Sequence, residues 1–366
     1  MNAADHIRFM DCCLQLAEKG RGRVHPNPMV GCVIVKHGRI IAEGYHRSFG
    51  GPHAEIEALR IAGNRSSGAT LYVNLEPCAH YGKTPPCSQS IIEAGISQVV
   101  AACRDPNPEV AGKGFSEIRR AGIALIIGIR HKEAAELNHQ FFYTMKTELP
   151  YIGIKIAQTI DGRISDSFGK SKWITSAEAR KEGHRIRSEY DAILVGVGTV
   201  LKDNPQLTVR SVRGKNPIRI IIDGHLRVSD RAKVFDVRKA DTILLTSSEA
   251  MNSETAKVSR LARRGVEVFG LDGGFELSTK AILKVLASLG INSILVEGGS
   301  GTISRFMEDR YVQKIHCFIA PKILGGGLPS IMISRHSKLR QASEITHMKI
   351  RSVGKDLLVE GLIHYK

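Results

Sequence analysis

A chain of 366 residues with 42% hydrophobic and 24% charged side chains is too long for one hydrophobic core and too apolar to be mainly disordered, so two globular domains are expected. The formal charge is +16, but residues 1–146 hold 17 Lys+Arg against 13 Asp+Glu, or +4, and residues 147–366 hold 35 against 23, or +12; no strongly basic face marks the first part as a polynucleotide binder. The first twenty residues carry Asp5, Arg8, Asp11, Glu18 and Lys19, and the longest nearly apolar run, Ala121 to Ile129, is far too short to span a bilayer, which predicts a cytoplasmic protein with no membrane partner.

Asp5 to Lys19 has apolar residues at helical spacing (Ile7, Met10, Cys13, Leu14, Ala17), and Gly20 ends it. Cys32 to Val35, a turn at His37-Gly38 and Ile40 to Ala42 predict a hairpin. Pro52 is expected to open a helix carrying His53, Glu55, Ile56, Ala58 and Leu59, since proline is tolerated in a first turn. Ala69 to Val73 reads as a strand, followed by a cysteine-bearing loop and a second helix opening at Pro86. Strands at Gln98 to Ala102 and Ile123 to Ile127, with a helix around Phe115 to Ala121 between them, complete a layered α/β domain with a mixed sheet.

Seven cysteines, an odd number without a secretory signal, argue for reduced thiols or metal ligands over a disulfide framework. Cys12, Cys13, Cys32, Cys103 and Cys317 lie in apolar surroundings and read as small buried hydrophobes. Cys78 and Cys87 each follow a proline, and Pro52-His53-Ala54-Glu55 supplies an imidazole with a carboxylate two residues on. His53, Cys78 and Cys87 are therefore the candidate ligands of a catalytic Zn2+ whose fourth position is left for water, with His53 and Cys87 at helix starts where free N–H groups favour thiolate charge. Glu55 is the candidate proton carrier, taking a proton from that water and delivering it to a departing amine, as in zinc-dependent base deaminases.

Eight residues separate Cys78 from Cys87, where many base deaminases have two. With this loop, containing Gly82-Lys83-Thr84-Pro85, and with Val24-His25-Pro26-Asn27-Pro28-Met29-Val30-Gly31 and Asp105-Pro106-Asn107-Pro108, the first half resembles the pyrimidine deaminase part of the bifunctional riboflavin-biosynthesis enzymes. The resemblance implies a cytidine-deaminase-like fold, a phosphorylated pyrimidine substrate, His80 and Lys83 near its phosphate, and Asn27, Asp105 and Asn107 in the substrate site. Lys83 suits a phosphate and Asn27 a ring edge.

His131 to Lys146 reads as one amphipathic helix and Thr147 to Pro150 as a linker, giving domains at 1–146 and 151–366. Tyr151 to Ile156, Asp191 to Val195, Ile218 to Ile222, Asp241 to Leu245 and Ser293 to Val296 are apolar strands closed by polar or glycine turns, with helices such as Ser278 to Leu289 between them: a second α/β sheet. Glu297-Gly298-Gly299-Ser300-Gly301-Thr302 leads into a helix at Ile303 to Met307 and would let backbone approach a phosphate, though no Gly-x-Gly-x-x-Gly follows this domain's first strand.

Lys155 to Arg163, Trp173-Ile174-Thr175-Ser176, Gly196 to Arg210 and Glu297-Gly298-Gly299, in that order, resemble the reductase part of the same family, so the likeness covers nearly the whole chain. It implies a dihydrofolate-reductase-like fold that uses NADPH to reduce the sugar of the deaminated product. Position by position, Ser171, Arg187, Leu207, Arg210 and Glu297 would line the substrate, with Arg187 and Arg210 holding a phosphate by paired donors. Ala157, Trp173, Thr175, Thr199, Asp203, Gly298, Gly299, Ser300 and Gly301 would meet the cofactor. Lys155 would orient the cofactor or merely support the fold. The Lys- and Arg-rich segment 228–274 matches no motif, which leaves open which group meets the NADPH 2′-phosphate. Such reductases can pair through an edge strand, so a homodimer or higher homo-oligomer through this half is a further expectation.

Two other readings compete. A nucleic-acid base deaminase with an appended domain is disfavoured by the +4 charge of the first part and by the long cysteine loop. A binding or regulatory protein with a structural zinc would need a fourth ligand, for which His80 is the candidate.

Overall fold

A computed structural model describes residues 2–79, 86–108, 110–333 and 338–366. The chain divides into two compact units, Met1–Glu148 and Leu149–Lys366.

In the first unit the elements run α1 (Ala3–Glu18), β1 (Gly31–Lys36), β2 (Arg39–Tyr45), α2 (Ala54–Ala62), β3 (Thr70–Val73), α3 (Cys87–Glu93), β4 (Gln98–Ala101), α4 (Lys113–Arg120), β5 (Ala124–Ile127), α5 (His131–Leu137) and α6 (His139–Thr147). The sheet order is β2-β1-β3-β4-β5; β1 is antiparallel to both its neighbours, and β3, β4 and β5 are parallel. Because successive side chains in a strand face opposite ways, Ile34, Leu71, Val73 and Val99 pack on one face with Ala54, Ala58, Ile91 and Ile118. Val33, Tyr72 and Val100 pack on the other with Phe9, Met10, Leu16 and Ala134. Helices thus cover both faces of a mixed sheet.

Several boundaries differ from the sequence expectation, among them the helix expected to open at Pro86, which begins at Cys87 with Pro86 as its N-cap. The second helix begins at Ala54 and not at Pro52; His53 is its N-cap, in extended conformation (φ −71°, ψ 160°), and makes no side-chain capping bond. Its imidazole is therefore available to the cysteines. The predicted helix over 131–146 is two helices broken at Asn138, a buried residue whose Oδ1 accepts from Met29 N (2.8 Å) and whose Nδ2 donates to Met29 O (2.9 Å). An amide clamped on another segment's backbone outweighs one turn of helix.

The second unit runs β6 (Tyr151–Thr159), β7 (Arg163–Ser165), α7 (Ala177–Arg187), β8 (Ala192–Gly196), α8 (Val197–Asp203), β9 (Ile218–Ile222), β10 (Thr242–Ser247), α9 (Ser248–Ser253), α10 (Thr255–Arg263), β11 (Glu267–Leu271), α11 (Thr279–Ser288), β12 (Ser293–Gly298), α12 (Ser300–Glu308), β13 (Lys314–Ala320), β14 (Leu328–Pro329), β15 (Glu344–Val353) and β16 (Asp356–His364). Nine strands form one sheet in the order β11-β10-β9-β8-β12-β6-β13-β16-β15, parallel from β11 to β13 and antiparallel in the last two pairs. The parallel strands inside the edge strand β11 are largely buried on both faces, which is why those the sequence shows read as continuous apolar runs. One core joins Ile152, Ile154, Leu194, Ile294 and Val296 to α11 and α12; the other joins Ile193, Val195, Ile221 and Leu244 to Phe235 and Leu261. Ligands of such sheets bind beyond the carboxyl ends of the strands, and that is where the second unit opens a cavity.

Candidate functional site

In the first unit, His53 Nδ1 lies 3.2 Å from Cys87 Sγ and 3.6 Å from Cys78 Sγ, and the three donor atoms all fall within 4.8 Å of one another. Tetrahedral zinc with ordinary Zn–N and Zn–S bonds would hold such atoms about 3.5 Å apart, so the donor set fits the ion without rearrangement. Elements that meet closely supply the three groups. Gly44 on β2 touches the start of α2, where a Cβ would stand 2.3 Å from Ala54 O, and Gly114 lets α4 sit on the Cys78 loop, where a Cβ would stand 1.9 Å from Pro77 O. Cys87 N, at the start of α3, donates to Cys78 Sγ (3.3 Å). Hydrogen bonding from Cys87 and His53 holds the Cys78 thiol down to about 4 despite its burial, and the same contact with Cys78 raises His53 to about 9. Cys87 is pushed up by its hydrogen bond to Cys78 and by burial.

Glu55, on the first turn of α2, is 3% exposed. Burial pushes its carboxyl up to about 7, against the opposing pull of His53, which places it where a group that both accepts and delivers a proton at neutral pH should be.

The remaining predicted residues of this unit divide. Asn27 Nδ2 donates to His46 Nε2 (3.1 Å); His46 Nδ1 donates to Pro52 O (2.9 Å), and its ring stands edge-on to His53 at 5.6 Å, so Asn27 reaches the metal ligands through His46. Asp105 is buried and its Oδ1 accepts from Asn107 N (2.8 Å). Both sit in a segment pinned by Glu76: its Oε2 accepts from Asp105 N (3.1 Å) and Gly112 N (3.0 Å), its Oε1 from Phe115 N (3.2 Å). His80 and Lys83 lie outside the described residues. His46 and Glu76 are absent from the sequence expectation; the only signal for Glu76 is its place two residues before Cys78.

The second unit holds a cavity of about 1000 Å³ beyond the ends of β6, β8, β9 and β12. Ala157, Ser171, Trp173, Thr175, Thr199, Asp203, Glu297, Gly298, Gly299, Ser300 and Gly301 all line it. Trp173 is 63% exposed and carries the Arg180 guanidinium 4.2 Å from its ring centre, so it is a wall of the cavity and not core. Gly299 N donates to Thr199 Oγ1 (2.8 Å), fixing the glycine loop, while a Cβ on Gly301 would meet nothing within 4 Å. Ser300 Oγ is buried with no hydrogen-bond partner among the described residues. An open glycine turn at the start of α12 with an unsatisfied hydroxyl fits a dinucleotide's phosphates.

Arg187, Leu207 and Arg210 do not line that cavity. The Arg187 fork is committed instead: Nε and Nη2 donate to the two oxygens of Glu297, each at 2.8 Å, and Nη1 donates to Thr208 O (2.6 Å). Its paired donors are therefore spent on a carboxylate, not held open for a phosphate, because Glu297 ends a buried strand and needs a partner. Arg210 Nη1 donates to Thr208 Oγ1 (3.1 Å), and Leu207 is buried with φ +54°. Lys155 Nζ stands 3.9 Å from Glu297 Oε2 on the cavity wall. Burial opposes the Glu297 charge, but Arg187 and Lys155 outweigh it and hold the carboxyl down to about 2. Burial lowers Lys155, with Arg187 adding to that effect and Glu297 resisting it. His184 is depressed to about 4 by burial and by Arg187 and Arg210.

Residues 3–103 match the family model of the cytidine and deoxycytidylate deaminase zinc-binding region, and residues 150–359 match that of the RibD C-terminal domain. The chain is 46% identical over 352 residues to riboflavin biosynthesis protein RibD of Aquifex aeolicus, covering 96% of both chains, and 38% identical to that of Escherichia coli, covering 95% of this chain and 97% of the other. Among solved structures it is similar to Acinetobacter baumannii RibD (34% identity, TM-score 0.89, 99% of each chain). It is also similar to a diaminohydroxyphosphoribosylaminopyrimidine deaminase/5-amino-6-(5-phosphoribosylamino)uracil reductase of Thermotoga maritima (40% identity, TM-score 0.85, 100% of this chain and 99% of the other).

Proposed function

The chain belongs to the family of bifunctional riboflavin-biosynthesis deaminase/reductases, and from that premise we propose that residues 1–146 perform the deamination and residues 151–366 the reduction, each at the site found in its own unit. It is a bifunctional enzyme with a zinc-dependent deaminase fold followed by an NADPH-dependent reductase fold, as the sequence predicts. The substrate in this reading is 2,5-diamino-6-(5-phosphoribosylamino)pyrimidin-4(3H)-one, a small phosphorylated pyrimidine and not a nucleic acid.

Zinc held by His53, Cys78 and Cys87 would supply an acidified water at the ring carbon that bears the amine. Glu55 takes the proton released by the attacking water and gives it to the leaving nitrogen, so that water and the amine become a ring carbonyl and ammonia. Its burial beside His53 raises the carboxyl above the ordinary glutamate range, the direction a group that must also deliver a proton requires. Asn27 would meet the ring edge; Asp105 and Asn107, held by Glu76, and the loop bearing His80 and Lys83 would meet the sugar phosphate.

In the second unit the cavity residues would hold NADPH, whose chemistry would be hydride donation to the first carbon of the sugar, an imine in its open-chain form. The imine nitrogen then needs a proton, and the ammonium on the cavity wall beside Glu297 is that of Lys155. Glu297 holds Lys155 in place and is itself held by Arg187. Ser171 stands on the substrate side of the cavity, with Leu207 and Arg210 behind its wall, and Ala157, Trp173, Thr175, Thr199, Asp203 and the loop Gly298 to Gly301 form the cofactor side. The reading includes a homodimer through the reductase half, supported by the exposed edge strand β15, and a cytoplasmic location; no helix among the described residues is long and apolar enough to cross a membrane.

The convergence of one imidazole, two thiols and a buried carboxylate at one point carries the deaminase assignment. Glu55→Gln is expected to keep zinc and lower ammonia release at least about 100-fold, while NADPH oxidation on pre-deaminated substrate continues. Ammonia and NADPH absorbance followed together check this; loss of both activities in a folded, zinc-loaded variant would refute separate sites.

A further inference from the structure

The residue that recognises the cofactor's 2′-phosphate is unassigned, and no residue of the Lys- and Arg-rich segment 228–274 lines the reductase cavity. The turn just before that segment does, through Gly224, His225 and Arg227, together with Phe275 just after it. The His225 and Phe275 rings are stacked, with centroids 4.0 Å apart and planes 15° apart. Gly224 makes the stack possible: a Cβ there would stand 2.0 Å from Phe275 O. The Arg227 Nε lies 3.8 Å from Asp223 Oδ1, a fully buried carboxylate oxygen with no hydrogen-bond partner among the described residues. Arg227 is thus tethered from below at Nε, while its side chain remains 55% exposed at the cavity rim.

The sheet order sets these groups at one end of a line. Going from β6 through β12 and β8 to β9, the cavity presents the Lys155 and Glu297 pair, then the glycine loop at the start of α12, then the stacked rings and Arg227. Three strand spacings separate β6 from β9, about 14 Å, which matches an extended dinucleotide. The reacting end belongs with the ammonium and carboxylate, and the pyrophosphate with the glycine loop. That leaves the aromatic and cationic end for adenosine.

We propose that the turn after β9 is the adenosine end of the cofactor site, with the stacked Phe275 and His225 as the surface for adenine and the Arg227 guanidinium as the group that recognises the 2′-phosphate and so selects NADPH over NADH. A guanidinium fork pairs with a phosphate through two charge-assisted hydrogen bonds, and a flat ring pair takes a base on its open face. Two of the other cations at the cavity are engaged elsewhere: Lys155 faces Glu297, and Arg180 lies over Trp173 and donates to Thr175 O (2.8 Å). Lys202 and Arg305 remain as rivals. The inference rests on the NADPH reading of the second unit.

The test is binding, read by energy transfer from Trp173, the chain's only tryptophan, to the reduced nicotinamide of NADPH or NADH, and by calorimetry with adenosine 2′,5′-bisphosphate against adenosine 5′-monophosphate. The wild type is expected to bind NADPH about tenfold to a hundredfold more tightly than NADH, and Arg227→Ala to lose that preference with its NADH affinity within about twofold of wild type. Phe275→Ala should weaken both cofactors alike. Intact ammonia release and an unchanged melting temperature certify the fold of each variant. Persistence of the preference in Arg227→Ala, its collapse in Lys202→Ala or Arg305→Ala instead, or equal wild-type affinity for the two cofactors overturns the Arg227 assignment. Unchanged affinities in Phe275→Ala overturn the adenine assignment, and a wild type that binds neither cofactor overturns the NADPH reading itself.

Discussion

Glu297, near the end of β12 with a side chain only 7% exposed, is kept ionised by Arg187, 110 residues earlier in the chain, and by Lys155. Neutralising it leaves a buried guanidinium with a weaker partner, so Glu297→Gln should lose about 3 kcal/mol of stability at neutral pH. The pH dependence has a definite sign. The folded carboxyl sits at about 2 against an ordinary value of 4.5, so its stabilisation is fully present above pH 4.5 and is lost as pH falls toward about 2. The difference in melting temperature between wild type and Glu297→Gln should therefore be constant from pH 7 to about 5 and shrink steadily below that; a difference that grows on acidification would refute the pairing. Glu297 was legible in the sequence as the start of a glycine motif and Arg187 only through the family resemblance, and neither was legible as the other's partner, because a contact across 110 residues is written in no local pattern. The same limit explains Glu76, whose three backbone donors come from a segment about thirty to forty residues away.

Elements whose apolar pattern has a single cause were legible, and those with mixed causes were not. The parallel strands β8, β9, β10 and β12 are buried on both faces and stand out as apolar runs. β13 is equally buried but contains His316, satisfied by Tyr190 OH (2.9 Å) and Glu360 (2.6 Å), and that polar interruption hides it. β15 is hidden for the opposite reason, being exposed along almost its whole length. It ends the nine-stranded sheet, and Ile345, Met348 and Ile350 are exposed on it, at 57% for Ile350. On this ten-residue edge the exposed apolar side chains favour pairing, and Lys349 and Arg351 oppose it without covering them. Ile350→Lys, which places such a charge beside Lys349 and Arg351, is expected to convert a dimer to a monomer in sedimentation while leaving ammonia release intact. A wild type that sediments as a monomer, or a variant that stays dimeric, would remove β15 as the interface.

At the scale of the molecule, the length of the chain already implies two cores, and each unit closes two apolar clusters of its own around its own sheet. Each candidate site draws its residues from one unit: the zinc donors belong to β3's following loop and to the starts of α2 and α3, the reductase cavity to the ends of β6, β8, β9 and β12. A ligand that binds only the folded form raises the stability of the unit that holds it, by about 2.7 kcal/mol at a hundred times its Kd. Calorimetry should therefore show two transitions that answer to different ligands. Chelating zinc should lower the transition of the first unit and stop ammonia release, with NADPH oxidation on pre-deaminated substrate unchanged. Saturating NADPH should raise the other transition alone. A single transition moved by both ligands would mean that the two units unfold as one, and the separation of sites read from the cores would then have no thermodynamic counterpart.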